Sequence, residues 1–338
     1  MIILVDAMGG DNAPDAIVNG CIDAVLEKDG FDILLIGDSE RINKVLKERD
    51  FSNPRLTVRH TTEVITGDDT PTKAIKNKKD SSMVVGFNLL KEKKGDVFLS
   101  AGNSGALMTG ALFILGRIKG IDRPALPALI PAKGGDSLII DAGLNTVCKP
   151  VNYLQFGVMG SIYMKELFNI EKPRVGLMNV GTEVGKGSDD IKQAYTLLSE
   201  SNLNFIGNIE GKDINRRNAD VAVCDGFVGN VALKANEGMG EYFLENLVGI
   251  FKTNFITKLA YLAIKKPFKE FYKRIDPDVN GGAPVLGVNG LVIKSHGSSK
   301  AKTIKNVIIN RAYVLAKSSV LEQITEQFKN MEVEDIEQ

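Results

Sequence analysis

The chain has 338 residues, with 42 lysines and arginines balanced by 42 aspartates and glutamates, three cysteines and two histidines. That length suits a large α/β domain with two lobes, and a formal charge of zero excludes a protein drawn as a whole to nucleic acid or to an anionic bilayer. Cys21, Cys148 and Cys224 match no zinc spacing, their odd number suits reduced cytosolic thiols better than a disulfide framework, and His60 and His296 are too few for a histidine-rich metal site.

The first segment, "MIILVDAMGGDNAPDA", has a short apolar run without a basic lead, so it reads as neither a signal peptide nor a spanning helix, and a soluble cytoplasmic protein is expected. A pattern then recurs six times: a short apolar run, a loop of Gly, Asn, Asp and Ser, and a helical stretch. The first instance is "IILVDAMGGDNAPDAIVNGCIDAVLE", where Asp11 or Asn12 can cap a helix that has Pro14 near its first turn. "DVFLSAGNSGALMTGALFILG" is the second and "SLIIDAGLNTVCKPVNYLQFGVMGSIYM" the third. "RVGLMNVGTEVGKGSDDIKQAYTLLSE", "DVAVCDGFVGNVALKANEGMGEYFLENL" and "LVIKSHGSSKAKTIKNVIINRAYVLA" complete the set. Runs such as "LIID" and "VAVCD" are apolar without alternation, as strands buried on both faces are. A largely parallel sheet covered by helices follows, with its six polar loops facing one cleft at the carboxyl ends of the strands.

Each loop leads into a helix N-terminus, where unpaired N–H groups favour an anion. "GTEVGKGSDD" resembles a P-loop, but Gly187 separates Lys186 from Ser188, so the spacing that wraps a nucleoside triphosphate is missing. Gly185, Lys186, Gly187 and Ser188 can still cradle phosphate as a backbone nest with one point charge; the competing reading is an ordinary turn. No dinucleotide fingerprint is present, and no cofactor is expected. Asn103, in "AGNSGA", offers an amide, whereas Ser104 lacks the surroundings of a nucleophile. His296, in "KSHGSS", can donate to an oxyanion or bond its own loop, and His60 reads as structural. Cys224 reads as a small buried residue at a strand end rather than a thiol nucleophile.

Between the fifth and sixth units lies "IFKTNFITKLAYLAIKKPFKEFYKRID". Phe251, Phe255, Leu259 and Leu262 recur at helical spacing, Pro267 interrupts, and Phe268, Phe271, Tyr272 and Ile275 resume it, which predicts an inserted amphipathic hairpin over residues 247–276. From Ile250 to Arg274, six lysines and Arg274 face Glu270 as the one acid. The hairpin can pack against its copy in a dimer. Its expected tip, with Leu259, Leu262, Ile264, Lys265 and Lys266, can also meet an anionic membrane surface. The tail "MEVEDIEQ" is expected to fray.

The runs "VDAMGGDNAP", "SAGNSGALMTGALFILGRIKGIDRPAL", "NVGTEVGKG", "CDGFVGNVALK", "NGGAPVLGV" and "KSHGSS" closely resemble the bacterial acyl-acyl-carrier-protein:phosphate acyltransferase family, in order, from the first residues to about Ala316. The resemblance implies a three-layer α/β/α sandwich like that of phosphotransacetylases and isocitrate-type dehydrogenases, working as a homodimer. It implies transfer of a long-chain fatty acyl group from a carrier thioester to inorganic phosphate, giving acyl phosphate for phospholipid synthesis. It further implies peripheral membrane contact and delivery to a membrane glycerol-phosphate acyltransferase. Departures from the family's usual residues are Leu144, Asn12, Ser104 and Val279.

For that reaction, Lys186 and the Gly185 and Gly187 amides are expected to hold phosphate, and Asn103 and Asn230 to polarise the thioester carbonyl. Asp225 and His296 would orient these groups or assist thiolate departure. Acyl carrier proteins are acidic, so Lys73, Lys76, Lys78 and Lys79, and Arg117, Lys119 and Arg123, are docking candidates. A small-acyl phosphotransacetylase using coenzyme A and a non-catalytic membrane scaffold are the alternatives.

Overall fold

The computed structural model of the chain describes residues 1–275 and 281–337; Val279, and the side chains of Tyr272 and Ile275, lie outside the described residues. The chain forms two compact units, one built from Met1–Pro127, Val158–Lys172 and Gly281–Gln338, the other from Ala128–Gly157 and Pro173–Asn280. In chain order the strands are β1 (Ile2–Asp6), β2 (Asp32–Gly37), β3 (Leu56–His60), β4 (Val97–Ser100), β5 (Ala128–Ala132) and β6 (Gly135–Ile140). They continue with β7 (Arg174–Met178), β8 (Asn204–Ile209), β9 (Val221–Val223), β10 (Ala283–Pro284) and β11 (Leu291–Lys294).

The first unit holds a six-stranded sheet in the order β10-β11-β4-β1-β2-β3, parallel except at the antiparallel edge strand β10. Its central strands carry Ile3, Leu4, Val97, Phe98 and Val292, each fully buried, as expected for strands covered on both faces. The helices Asp15–Glu27 and Ser82–Lys91 pack on this sheet, and the first of them also packs on the helix Ala301–Val307. The second unit holds a five-stranded sheet, β5-β6-β9-β7-β8, parallel except at β5. Instead of one sheet there are two, and the six polar loops sort three and three between them. The loops after β1, β4 and β11 leave neighbouring strands of the first sheet, and those after β6, β7 and β9 leave neighbouring strands of the second.

Three local expectations need correction. The helix entered from the fifth loop runs unbroken over Gly226–Lys252, and the next covers Phe255–Ile275 with Pro267 inside it. The bend falls at Thr253 and Asn254, because Asn254 and Thr257 cap each other: the Asn254 N–H donates to Thr257 Oγ1 at 3.1 Å and the Thr257 N–H to Asn254 Oδ1 at 3.0 Å. Phe251, Tyr261 and Phe268 form a three-ring cluster with centroids 5.3–5.9 Å apart, which ties the residues on both sides of Pro267 to the preceding helix. Leu259, Leu262, Ile264, Lys265 and Lys266 are therefore mid-helix rather than at a tip. Secondly, the helix Asp15–Glu27 starts behind Pro14 with no side-chain cap; the Asn12 amide bonds elsewhere. Thirdly, the segment from Met331 continues a helix, since the last helix spans Val320–Glu337.

The second sheet is stapled at its strand starts by Asp220, just before β9. Its carboxylate takes hydrogen bonds from Arg174 N (3.0 Å), Nε (3.0 Å) and Nη2 (3.1 Å), with Arg217 Nε at 3.3 Å from Oδ1. Burial works to raise the Asp220 pKa, but the hydrogen bonds from Arg174 and the two guanidinium charges outweigh it and hold the carboxyl below its ordinary value. A depressed folded-state pKa stabilises the fold above the unfolded value, about 3.9, and that contribution disappears as pH falls through the folded value. Asp220→Asn is expected to cost about 1–3 kcal/mol at pH 7. In urea melts repeated down to pH 3 the gap to wild type should shrink; a gap that is constant with pH would refute this assignment.

Candidate active site

At the carboxyl end of the second sheet, the loop after β6 folds around Asp141, a side chain with no solvent exposure. Its Oδ2 accepts the Leu144 N–H (3.0 Å), the Asn145 N–H (2.6 Å) and the Asn145 side-chain amide (2.9 Å). The Asn145 carbonyl then accepts the Gly226 N–H at 2.6 Å, which joins this loop to the helix after β9. That helix approaches so closely that a Cβ on Gly229 would sit 1.9 Å from the Asp141 carbonyl oxygen; only glycine fits. One residue on, Asn230 is exposed and lies against Gly143, where a Cβ would come within 3.3 Å of the Asn230 Cβ.

Asp225 caps the same helix, with Oδ1 accepting the Val228 N–H at 2.8 Å and Oδ2 the Tyr153 hydroxyl at 3.5 Å. Burial, then the Asp225 charge, pushes the Tyr153 hydroxyl pKa up, so it stays protonated as the donor. Asp225 thus caps the helix that carries Asn230. Cys224 is buried, and its Sγ points at the Asp141 carbonyl at 3.5 Å. Burial first, then the Asp225 and Asp141 charges, raises its pKa well above that of an ordinary thiol, which disfavours a thiolate nucleophile.

The loop after β7 is exposed from Thr182 to Asp190. Asn179 closes it, donating Nδ2 to the Lys186 carbonyl at 3.0 Å, and Asn208 donates to the Glu183 carbonyl at 2.8 Å. Gly187 adopts φ +89°, a left-handed turn. Lys186 is half-exposed with Nζ 4.0 Å from Glu183, a pair weak enough to exchange for another anion. Gly185 has open space around it. Ser188 Oγ accepts the Ile191 N–H at 3.4 Å as the cap of the helix Asp189–Ser199. Asp189 and Asp190 already stand in the first turn of that helix, so its dipole is partly answered by the chain's own carboxylates. The phosphate cradle expected here therefore reduces to Lys186 and the glycine turn.

The first unit places Asn103 and His296 at the ends of adjacent strands. Asn103 corrects an expectation. Its Oδ1 accepts the Ala106 N–H at 3.0 Å, and its Nδ2 donates to the carbonyls of Thr66 (3.1 Å), Gly67 (3.1 Å) and Asp69 (3.2 Å). Both ends of the amide are engaged, so Asn103 fixes the 66–69 loop to its helix instead of polarising a carbonyl. His296 is exposed, and its Nδ1 accepts the Ser298 N–H at 3.3 Å beside Ser298 Oγ at 2.9 Å. The backbone donor at Nδ1 leaves Nε2 as the ring's outward donor. His60 Nδ1 accepts the Ser39 N–H at 3.1 Å, as a structural residue would.

Among the basic candidates, Lys73, Lys76 and Arg123 are exposed. Lys78 is not available for docking: Nζ bonds the Val64 carbonyl at 2.8 Å and Asp69 at 2.6 Å, and this bond leads the lowering of the Asp69 pKa. Lys79 reaches the Ile75 carbonyl, and Arg117 bonds the Asp122 carbonyl. Sequence reasoning assigned nothing to Asp6 or Asp141. Their signal was available, since both end an apolar run and precede Ala and a glycine loop, as "VDAMGG" and "IDAGLN".

Residues 1–323 match the family model described as "Fatty acid synthesis protein". A protein of Acetivibrio thermocellus named phosphate acyltransferase is 66% identical over 338 residues, covering 100% of this chain and 99% of that one. Another of that name, from Alkaliphilus oremlandii, is 46% identical over 337 residues with both chains fully covered. Among solved structures, the EutD phosphotransacetylase of Staphylococcus aureus superposes with a TM-score of 0.61 at 13% identity, covering 94% of each chain. A phosphotransacetylase of Streptococcus pyogenes gives 0.60 at 16% identity, covering 93% of this chain and 94% of its own. These two share the α/β fold. The family match over nearly the whole length and the identity to its members place this chain in the fatty acid synthesis protein family.

Proposed function

We propose that this chain is a phosphate acyltransferase that moves a long-chain fatty acyl group from acyl carrier protein to inorganic phosphate. The observation that carries the reading is the surface at the end of the second sheet. There the segments after β6, β7 and β9 that carry Lys186 and Asn230 also carry exposed apolar side chains: Val147, Val180, Val184 and, in the first turn of the helix after β9, Phe227. Apolar side chains exposed beside an anion-compatible turn suit a substrate with an acyl tail and a reacting polar end. An acetyl group would leave that apolar border unused.

The chemistry needs no strong base. Phosphate is already substantially dianionic near neutral pH, so attack on a thioester is limited by positioning and charge stabilisation. A phosphate oxygen forms the new C–O bond as the C–S bond breaks and its electron pair leaves on sulfur. Lys186 and the Gly185 and Gly187 amides hold phosphate, Asn230 donates to the carbonyl oxygen, and Asp225 keeps the Asn230 turn in place. His296, carried by the other unit, has its proton on Nε2 and is the chain's candidate donor to a thiolate leaving group. The exposed Lys73, Lys76 and Arg123, with Arg117, provide positive charge for an acidic carrier protein.

The apolar side of the helical hairpin supports association. Phe255, Ile256 and Leu262 are 74%, 76% and 63% exposed, among basic neighbours. A second copy of the chain and an anionic membrane surface both suit it. No helix among the described residues is long and apolar enough to cross a membrane.

Incubated with long-chain acyl carrier thioester and phosphate, the protein should form acyl phosphate that hydroxylamine traps, with a carrier KM that rises with ionic strength. Turnover with acetyl-coenzyme A alone would instead favour the small-acyl reading, and no turnover with cleft variants indistinguishable from wild type would favour a scaffold. Lys186→Ala should raise the phosphate KM by about tenfold or more, on the scale of a lost charged hydrogen bond; unchanged phosphate kinetics would remove Lys186 from the site. Leu259→Glu with Leu262→Glu should abolish flotation with anionic vesicles, and retained flotation would exclude this face from membrane contact.

A further inference from the structure

Asp6 closes β1 with a carboxylate that is 2% exposed, and no cation pairs with it among the described residues. Burial outweighs the hydrogen bonds from Ser100, Ser82, Met8 and Gly9 and holds its pKa above the ordinary carboxylate value. The donors are arranged in one direction. Ser100 Oγ accepts the Gly102 N–H at 3.0 Å, so its own proton points to Asp6 Oδ2, 2.6 Å away. The Met8 N–H donates to Oδ1 at 3.2 Å. An ionised carboxylate is the side chain that accepts at both oxygens and donates at neither.

These bonds lie upstream of the His296 loop on two routes. On one, the turn after β1 carries Asp11 and Asn12 to that loop: the Asp11 N–H donates to the Gly297 carbonyl at 2.8 Å. The Asn12 amide donates to the carbonyls of Ser298 (3.1 Å) and Ser299 (3.3 Å). On the other, Ser100, whose hydroxyl Asp6 holds, accepts the Ser295 N–H on its carbonyl at 2.8 Å. His296 lies between the residues gripped by the two routes.

We propose that Asp6 is a positioning residue for acyl transfer, fixing the turn after β1 and the end of β4 and, through them, the loop that presents His296. This rests on the acyl-transfer reading given above. Asp6→Asn keeps size and one acceptor but turns an N–H₂ group toward a donor, so the network must reverse or break.

Two measurements test it. In the hydroxylamine-trap assay, Asp6→Asn should fold, lose roughly tenfold to a hundredfold in kcat, as misplacement of a reacting group does, and keep its phosphate KM. His296→Ala should also lose kcat, and the double variant should fall no further than the worse single one, because both changes remove the same contribution. Wild-type kcat in either single variant, or losses that multiply, would overturn the proposal. If Asp6→Asn does not fold, Ser100→Ala, which cuts one route and leaves the carboxylate, carries the same cycle. Independently of turnover, the imidazole ¹⁵N signals of the two histidines can be compared. Those of His296 should move in Asp6→Asn while those of His60 stay; unmoved His296 signals would overturn the proposal. A wild-type protein that makes no acyl phosphate would defeat the functional reading instead, and the nuclear magnetic resonance comparison would then decide the role of Asp6 by itself.

Discussion

Where a parallel strand ends, the N–H groups that follow leave the ladder and must find acceptors that are not another strand. In this chain, buried carboxylates answer that need in both units. Asp6 ends β1 and collects donors from its own turn and from Ser100; Asp141 follows β6 and collects the amides of Leu144 and Asn145. Each is a polar group placed inside the protein, tolerable because several donors point at it. The loops after β1 and β6 take their shape from these two points, whereas the loop of Lys186 is closed by Asn179 and Asn208.

That arrangement explains why so few side chains around the loops are free to do chemistry. Asn103, Asp225 and Ser188 are helix caps, Asn12 and Asn179 are loop ties, and Lys78 is bonded inward. Among the candidate residues, Lys186 and Asn230 in the second unit and His296 in the first keep exposed side chains.

Much of the architecture could be read directly from the chain. Continuous runs such as "VFLS" and "LIID" became fully buried parallel strands, and each glycine-rich segment became a strand-to-helix loop. The division into two sheets was not legible, because strand order depends on contacts distant in sequence, such as β11 beside β4. The hairpin bend was misplaced for a local reason: proline propensity outweighed an Asn-Thr cap that is easily overlooked in "KTNFIT", while the helix continues through Pro267 with Tyr261 and Phe268 in ring contact across it. At the site, residue type announced polarity but not direction. An asparagine in a loop looks the same whether its amide faces a substrate or three carbonyls, as that of Asn103 does.

The three cysteines, Cys21, Cys148 and Cys224, are all buried and unbridged. Thiol reagents applied to the folded protein therefore meet little native background. A cysteine introduced at Ile256 on the hairpin, or at Val180 beside Lys186, would present a unique accessible sulfur, and a fluorophore there could report on its surroundings without any native thiol having to be removed.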